Sequence, residues 1–245
     1  MIEVRSISKK FGKVLAVKDV SITARDGEIT ALLGANGAGK TTSLRMLYSL
    51  ITPESGEVRV DGIDPVKEPE KARRKMGVLP DARGLYKRLT ARENIEYFGR
   101  LQGMDEATLK TRTDALIEQL DITRFADRKT DGFSQGQRVK VALARALVHD
   151  PHNIILDEPT NGLDVMSTRG IREFLRQEKA RGKCILFSSH VMQEVAAVCD
   201  VITVVDDGAV CAVGTQQELM AQTGQDNLED AFVALVTTNK TGEGV

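Results

Sequence analysis

The sequence predicts an α/β protein with a parallel core sheet, an antiparallel β subdomain and a helical subdomain. Three observations carry that prediction. Short apolar strands alternate with helical patterns toward both ends of the chain. A glycine-rich run, Gly34-Ala35-Asn36-Gly37-Ala38-Gly39-Lys40-Thr41, sits between an apolar strand and a helix start. From about residue 87 to 148 the periodicity is helical throughout.

The first thirty residues alternate apolar strands with turns such as Asp26-Gly27, which suits an antiparallel start. Ile29–Leu33 reads as a short strand. Thr42–Leu50 reads as a helix, with Leu44, Leu47 and Tyr48 on one face. A turn at Pro53–Gly56, the strand Glu57–Val60 and the turn Asp61-Gly62 follow. Glu68–Lys75 is a short charged helix, and Met76–Leu79 a strand. In the helical region, Thr90 caps a helix through Leu101, because Thr90-x-x-Glu93 is a capping-box pattern. Thr108–Leu120 carries Leu109, Leu116, Ile117 and Leu120 at helical spacing. Ser134–Val148 is a further helix with Val139, Leu143, Ala146 and Leu147 on its apolar face. Strands return at Asn153–Asp157, Cys184–Ser188, Val201–Asp206 and Ala209–Val213. Helices separate the first three, which implies parallel crossovers. Asp207-Gly208 makes a hairpin of the last two. Thr215 with Glu218 caps one short helix, Asn227–Val236 is another, and residues 237–245 read as a loose tail.

Bulk composition narrows the class. The 245 residues suffice for one large domain or a core with a subdomain. Lysine and arginine total 34 against 35 acidic residues, so nothing draws the whole chain toward nucleic acid or an anionic membrane. No apolar run approaches the ~18 residues of a membrane span, and the start lacks a secretion signal. Cys184, Cys199 and Cys211 are few and not at metal-ligand spacing, which suits small buried residues in a reducing, cytosolic compartment.

The glycine-rich run fits the phosphate-loop pattern G-x-x-x-x-G-K-[ST] at every fixed position, in the strand–loop–helix context that the pattern needs. Its glycines let successive backbone N–H groups turn toward an anion, and the following helix aims its positive end there. Lys40 would reach the outer phosphates and the Thr41 hydroxyl would hold a magnesium ion. Asn153–Glu158 ends an apolar strand in two adjacent carboxylates. After a phosphate loop, such a pair reads as a metal residue, Asp157, and a general base, Glu158; without one, Asp-Glu-Pro-Thr is simply a turn. Ser134-x-x-Gln137 fits a capping box, yet a serine opening a helix beside Gly136 is also a second anion site. One chain binding one triphosphate has no use for two such sites; two chains arranged head to tail do.

These motifs, in this order, resemble the nucleotide-binding subunit of ATP-binding cassette (ABC) transporters over residues 2–236. The resemblance implies a P-loop NTPase ABC cassette, with ATP and Mg²⁺ as cofactors. Phe133–Gln137 resembles the family's signature motif, and Asn161-Gly162-Leu163-Asp164 the loop that crosses the dimer interface. His190 resembles the switch histidine that contacts the γ-phosphate, although a lone histidine after a strand is also an ordinary cap residue. Phe11 lies where the family stacks an aromatic ring on adenine; beside Gly12 it could equally be core. Each nucleotide would sit between Gly34, Ala35, Asn36, Gly37, Ala38, Gly39, Lys40, Thr41 and Thr42 of one subunit and Ser134, Gly136 and Gln137 of the other.

Two departures stand out. Pro80-Asp81 replaces the family's usual glutamine after the strand Met76–Leu79, so Asp81 either binds the metal more directly or loses the contact. Gln135 replaces a common glycine, which implies negative φ there. Leu79–Tyr86 is most similar to the ATPase subunits of Nat-type sodium-efflux systems. The family reading implies export through a separate transmembrane permease, a location at the cytoplasmic face of the membrane, and docking around residues 81–92. A non-transport cassette ATPase, such as a cofactor-assembly factor, and a nucleotide-binding regulator are the alternatives. Absence of a heptad insertion between Lys40 and Ser134 speaks against a chromosome-type cassette.

Overall fold

The computed structural model describes residues 1–81 and 84–242. Two sheets form its centre. A three-stranded antiparallel sheet is built from β1 (Ile2–Phe11), β2 (Val14–Ala24) and β4 (Ser55–Val60), in the order β2-β1-β4. The other sheet takes β3 (Ile29–Leu33), β5 (Met76–Leu79), β6 (Asn153–Asp157), β7 (Cys184–Ser189), β8 (Val201–Asp206) and β9 (Ala209–Gly214). Its order is β5-β6-β7-β3-β8-β9, with every pair parallel except the β8–β9 hairpin. The antiparallel start is present, but as two long strands of 10 and 11 residues rather than several short ones.

Residue alternation explains why the core sheet is buried on both faces. Ile29, Ala31 and Leu33 of β3 join one apolar cluster, together with Ile154 and Leu156 of β6 and Ile185 and Phe187 of β7. Their neighbours Leu32, Ile155, Cys184 and Leu186 point the other way, into a second cluster shared with the antiparallel sheet. The first cluster continues through α3 (Ala91–Leu101), α4 (Glu106–Gln119) and α5 (Gln135–Leu147), the helical region expected from periodicity. Of the three cysteines Cys184 is buried, its pKa pushed up to about 12 chiefly by desolvation and its thiol donating to the Ala24 carbonyl, whereas Cys199 and Cys211 are half-buried.

Capping chemistry sets the helix starts. Reciprocal capping boxes form at Thr90–Glu93, Ser134–Gln137 and, for α8 (Gln216–Thr223), Thr215–Glu218. Gln135 is the first residue of α5 and is not among the residues with positive φ, as expected. Several boundaries differ from expectation, and those of three helices matter most. Helix α1 (Lys40–Leu47) begins inside the glycine-rich run and ends before Tyr48. Helix α4 starts earlier than Thr108, because the Asp105 side chain accepts from the Thr108 N–H at 2.9 Å. Helix α9 (Leu228–Gly242) runs past Val236 through most of the expected tail. The Thr237 and Thr238 hydroxyls donate to the Val233 and Ala234 carbonyls at 2.8 and 2.9 Å, a back-bonding that suits a helix. Residues 243–245, the rest of that tail, and Ala82 and Arg83 lie outside the described residues. Helices α2 (Pro69–Arg74), α6 (Val165–Ala180) and α7 (Met192–Val198) complete the fold.

Candidate active site

Three strands deliver their last residues to one edge. Register pairs Asp157 with Ser188 across β6–β7, and Leu33 with Ser189 across β3–β7. Gly34, Glu158 and His190 therefore leave the sheet together, at its carboxyl end, where open α/β sheets place ligands. The Gly34 N–H donates to the Ser189 carbonyl at 3.2 Å, fixing the start of the glycine-rich loop.

The glycines of that loop are needed for two reasons. Gly37 and Gly39 have φ of 86° and 93°, which L side chains rarely adopt. Space is the second. A Cβ on Gly34 would lie 2.3 Å from the Val205 carbonyl, and one on Gly39 2.6 Å from the Ala16 carbonyl. Lys40 opens α1 and is nearly buried. Its ammonium donates to the Gly34 and Ala35 carbonyls at 2.7 and 3.0 Å and lies 3.4 Å from Glu158 Oε1. A cavity of about 250 Å³ opens over the loop, lined by Asn36, Gly37, Gly39, Lys40, Thr41 and Thr42. Ala16, Asp81, Glu158 and Asn161 close its other sides.

The carboxylates of the strand end differ in their surroundings. Asp157 Oδ1 accepts from Ser188 Oγ at 2.6 Å and from Thr41 Oγ1 at 3.1 Å. Asp157 Oδ2 is buried with no hydrogen-bond partner. Burial raises the Asp157 pKa above its ordinary value, although both hydroxyls pull it down. A buried carboxylate oxygen with a spare lone pair, beside the Thr41 hydroxyl and within the electrostatic reach of Asp81, suits a hard divalent cation. Glu158 stands apart in its backbone, with φ of 48°. Ser188 holds it there by accepting the Glu158 N–H at 3.0 Å. The carboxylate turns back over the cavity, where Oε2 lies 2.9 Å from His190 Nδ1.

Other expected site residues lie elsewhere. Ser134, Gly136 and Gln137 sit at the start of α5 and do not line the Lys40 cavity. Gly136 is fitted against α6 instead, where a Cβ would come 2.7 Å from Ser167 Oγ. Asp164 caps α6, accepting from the Ser167 N–H and hydroxyl at 2.9 and 2.7 Å. Phe11 is 49% exposed on β1, which excludes the core reading of that ring, and Lys9 Nζ stands 5.8 Å from its centre. Sequence reasoning missed Ala16, Asn161 and Ser188. Ser188 and Asn161 fall within quoted motifs, whereas no local signal marks Ala16, which arrives from β2 of the other sheet.

A phosphate loop, a buried lysine and paired strand-end carboxylates define the site of a phosphate-loop ATPase. Comparison with known proteins narrows the class. The sequence profile described as "ABC transporter" matches residues 17–161. The ABC transporter ATP-binding protein NatA of Bacillus subtilis is 44% identical over 239 residues, 96% of this chain and 97% of its own. The linearmycin resistance ATP-binding protein LnrL of the same species is 36% identical, over 93% of this chain and 73% of that protein. A solved ATP-binding subunit of an ABC transporter superposes with a TM-score of 0.88 at 30% identity, covering 96% of this chain and 99% of its own. The dimeric cassette MJ0796, bound to ADP and Pi, gives 0.79 at 28% identity, covering 88% and 98%. The chain belongs to the ABC transporter family, as an ATP-binding subunit that hydrolyses ATP.

Gly39→Ala tests the steric fit of the loop. Positive φ costs an L-residue about 1–2 kcal/mol, and the Ala16 carbonyl blocks the added methyl. ATP affinity should fall about tenfold or more, measured by calorimetry, while far-ultraviolet circular dichroism stays unchanged. Unaltered affinity would show that the loop shifts freely.

Proposed function

We propose that two copies of this chain, arranged head to tail, hydrolyse Mg-ATP between them and drive export through a separate membrane subunit. One cavity lined by Lys40, Thr41 and Glu158, with Asp157 bonded to Thr41 and His190 to Glu158, carries this reading. Lys40 and the loop N–H groups bind the phosphates. Thr41, Asp157 and Asp81 hold the magnesium ion, which when bound shields the negative charge of the phosphates. Glu158 takes the proton of the attacking water as the bond between the β- and γ-phosphates breaks, leaving ADP and phosphate. His190, fixed through Nδ1, presents Nε2 to the γ-phosphate. Phe11, exposed at the rim, stacks on the adenine. Ser134, Gly136 and Gln137 face the partner's nucleotide, since the Lys40 cavity of their own chain is lined without them. MJ0796, described as a dimer bound to ADP and Pi, supports such a pairing. Residues 2–236 constitute the cassette, with about 87–148 as its helical subdomain.

Among the described residues no helix is long and apolar enough to cross a membrane. Contact with the membrane then runs through a protein partner. An apolar groove of about 410 Å³ supports its docking, with Tyr48, Leu50, Phe98, Arg145 and His149 on its walls. Leu50 and Tyr86 are exposed, and Tyr86 packs edge-on to Tyr97 with ring centres 5.4 Å apart. Arg145 lies over Phe98 at 4.5 Å and donates to the Gly84 carbonyl at 2.8 Å, joining the groove to the Asp81 loop. Arg92, at the end of the expected docking segment, pairs its guanidinium with Asp114 at 2.5 Å and with Asp127 at 3.5 Å. Lys87 and Arg88 remain exposed beside Tyr86. Sodium is the cargo that the Nat-type resemblance implies, and the cargo path lies in the partner.

Glu158→Gln should keep nucleotide binding and nearly stop hydrolysis, because an amide cannot accept the water's proton. Trapped Mg-ATP should then hold two chains together on size-exclusion chromatography. A chain that binds ATP tightly and stays monomeric would exclude the shared site. Asp81→Gln should leave ATP affinity within about threefold and alter turnover or its magnesium dependence. An affinity loss equal to that of Lys40→Ala would remove Asp81 from the metal. Tyr86→Ala combined with Arg88→Glu should abolish co-purification with the membrane subunit while basal ATPase activity survives. Retained co-purification would reject the docking surface.

A further inference from the structure

Beyond the Ser188 contacts, the Glu158–His190 contact is accompanied by a further side-chain link between the same two chain segments. This link joins Thr160, two residues beyond Glu158, to Glu194, four residues beyond His190: the Thr160 hydroxyl donates to Glu194 Oε2. Both partners are partly or fully shielded from solvent, Thr160 being buried and Glu194 half-buried in the first turn of α7. The backbone completes a closed ring. Asn161 N–H donates to the Glu158 carbonyl at 3.3 Å, and Leu163 N–H to the Thr160 carbonyl at 3.1 Å. On the other segment Val191 N–H donates to Ser189 Oγ at 3.0 Å, and Glu194 N–H to the Val191 carbonyl at 3.1 Å.

Geometry gives the further link a purpose. Strand pairing and Ser188 fix the near ends of the two segments, and the Thr160–Glu194 link holds them on the far side of the Glu158–His190 hydrogen bond, against a swing of the imidazole. Glu158 also holds a left-handed backbone conformation, which persists only where its surroundings hold it. Ser188 fixes the residue on its N-terminal side, and Thr160 is the next side chain past Pro159 able to fix the other. Arg172 of α6 lines the same cleft, and its charge pulls the Glu194 pKa down against the burial that raises it.

We infer that Glu194 is a positioning residue for hydrolysis, holding the Glu158–His190 pair over the γ-phosphate through the Thr160 hydroxyl. The inference rests on Glu158 being the base. Its test uses the full chain, measuring kcat and KM for Mg-ATP, equilibrium binding of a non-hydrolysable ATP analogue, and Tm. Glu194→Ala should lower kcat about tenfold or more while KM and analogue affinity stay within about threefold. Thr160→Val, which is close in shape, should reproduce that loss, and the double variant should be no slower than either single one. Glu194→Gln keeps a carbonyl oxygen that can accept from Thr160, so its kcat should stay within about threefold of the parent. Unchanged kcat in Glu194→Ala, additive losses in the double variant, or kcat, affinity and Tm falling together would each overturn the inference. A Glu158→Gln arm separates the two assignments. If that variant still turns over, both fall; if it is dead while Glu194→Ala keeps the parent's kcat, only the positioning role fails.

Discussion

Register between β6, β7 and β3 is the constraint on which the site depends. Pairing Asp157 with Ser188 and Leu33 with Ser189 brings the phosphate loop, both carboxylates and the histidine to one edge. The pairing is not free to slip. Residues on these strands alternate between two separate apolar clusters, so a shift of one position would exchange the contents of both. Core packing and catalytic alignment are therefore one specification. A change at Leu156 or Ile155 acts on the carboxylates through the strand, though neither side chain touches the cavity.

Charge organises the edge that register creates. Lys40 is a nearly buried cation, and a buried charge is tolerated only with partners. It meets two carbonyls and the Glu158 carboxylate. Asp157 is the complementary case, a carboxylate raised by burial with one oxygen left unpartnered. The site thus contains a held cation and an anion short of one, which is the charge pattern that a phosphate chain with its metal would complete. The serine of β7 ties the Asp157 carboxylate to the Glu158 backbone, since Ser188 Oγ donates to Asp157 Oδ1 and accepts the Glu158 N–H.

Much of this was legible in the sequence, for identifiable reasons. Strands β5 and β6 were read at their observed limits, and the capping boxes at Thr90 and Ser134 were recognised, because both depend on residues near in sequence. The phosphate loop and the Asp157–Glu158 pair were visible for the same reason. Contacts between distant segments were not. Nothing local places β3 between β7 and β8, or brings the Ala16 carbonyl against Gly39. The link from Thr160 to Glu194, 34 residues apart, is likewise invisible until the two strands are set side by side. Helix α9 runs beyond its expected end, and Thr237 and Thr238, which read as tail residues, lie within it and bond backward to their own helix.

The wedging of the phosphate loop has a thermodynamic meaning as well as a steric one. Its glycines are stopped on one side by the Val205 carbonyl and on the other by Ala16, while Gly208 N–H donates to the Ala38 carbonyl at 3.2 Å. A loop held from three directions has few alternative shapes. Fixing one residue's backbone costs about 1–2 kcal/mol, and here that cost is met during folding, not on encounter with the ligand. The antiparallel sheet, through β2, and the β8–β9 turn are what remove that disorder in advance. They make no bond to phosphate themselves, yet affinity for it depends on the stiffness that they impart.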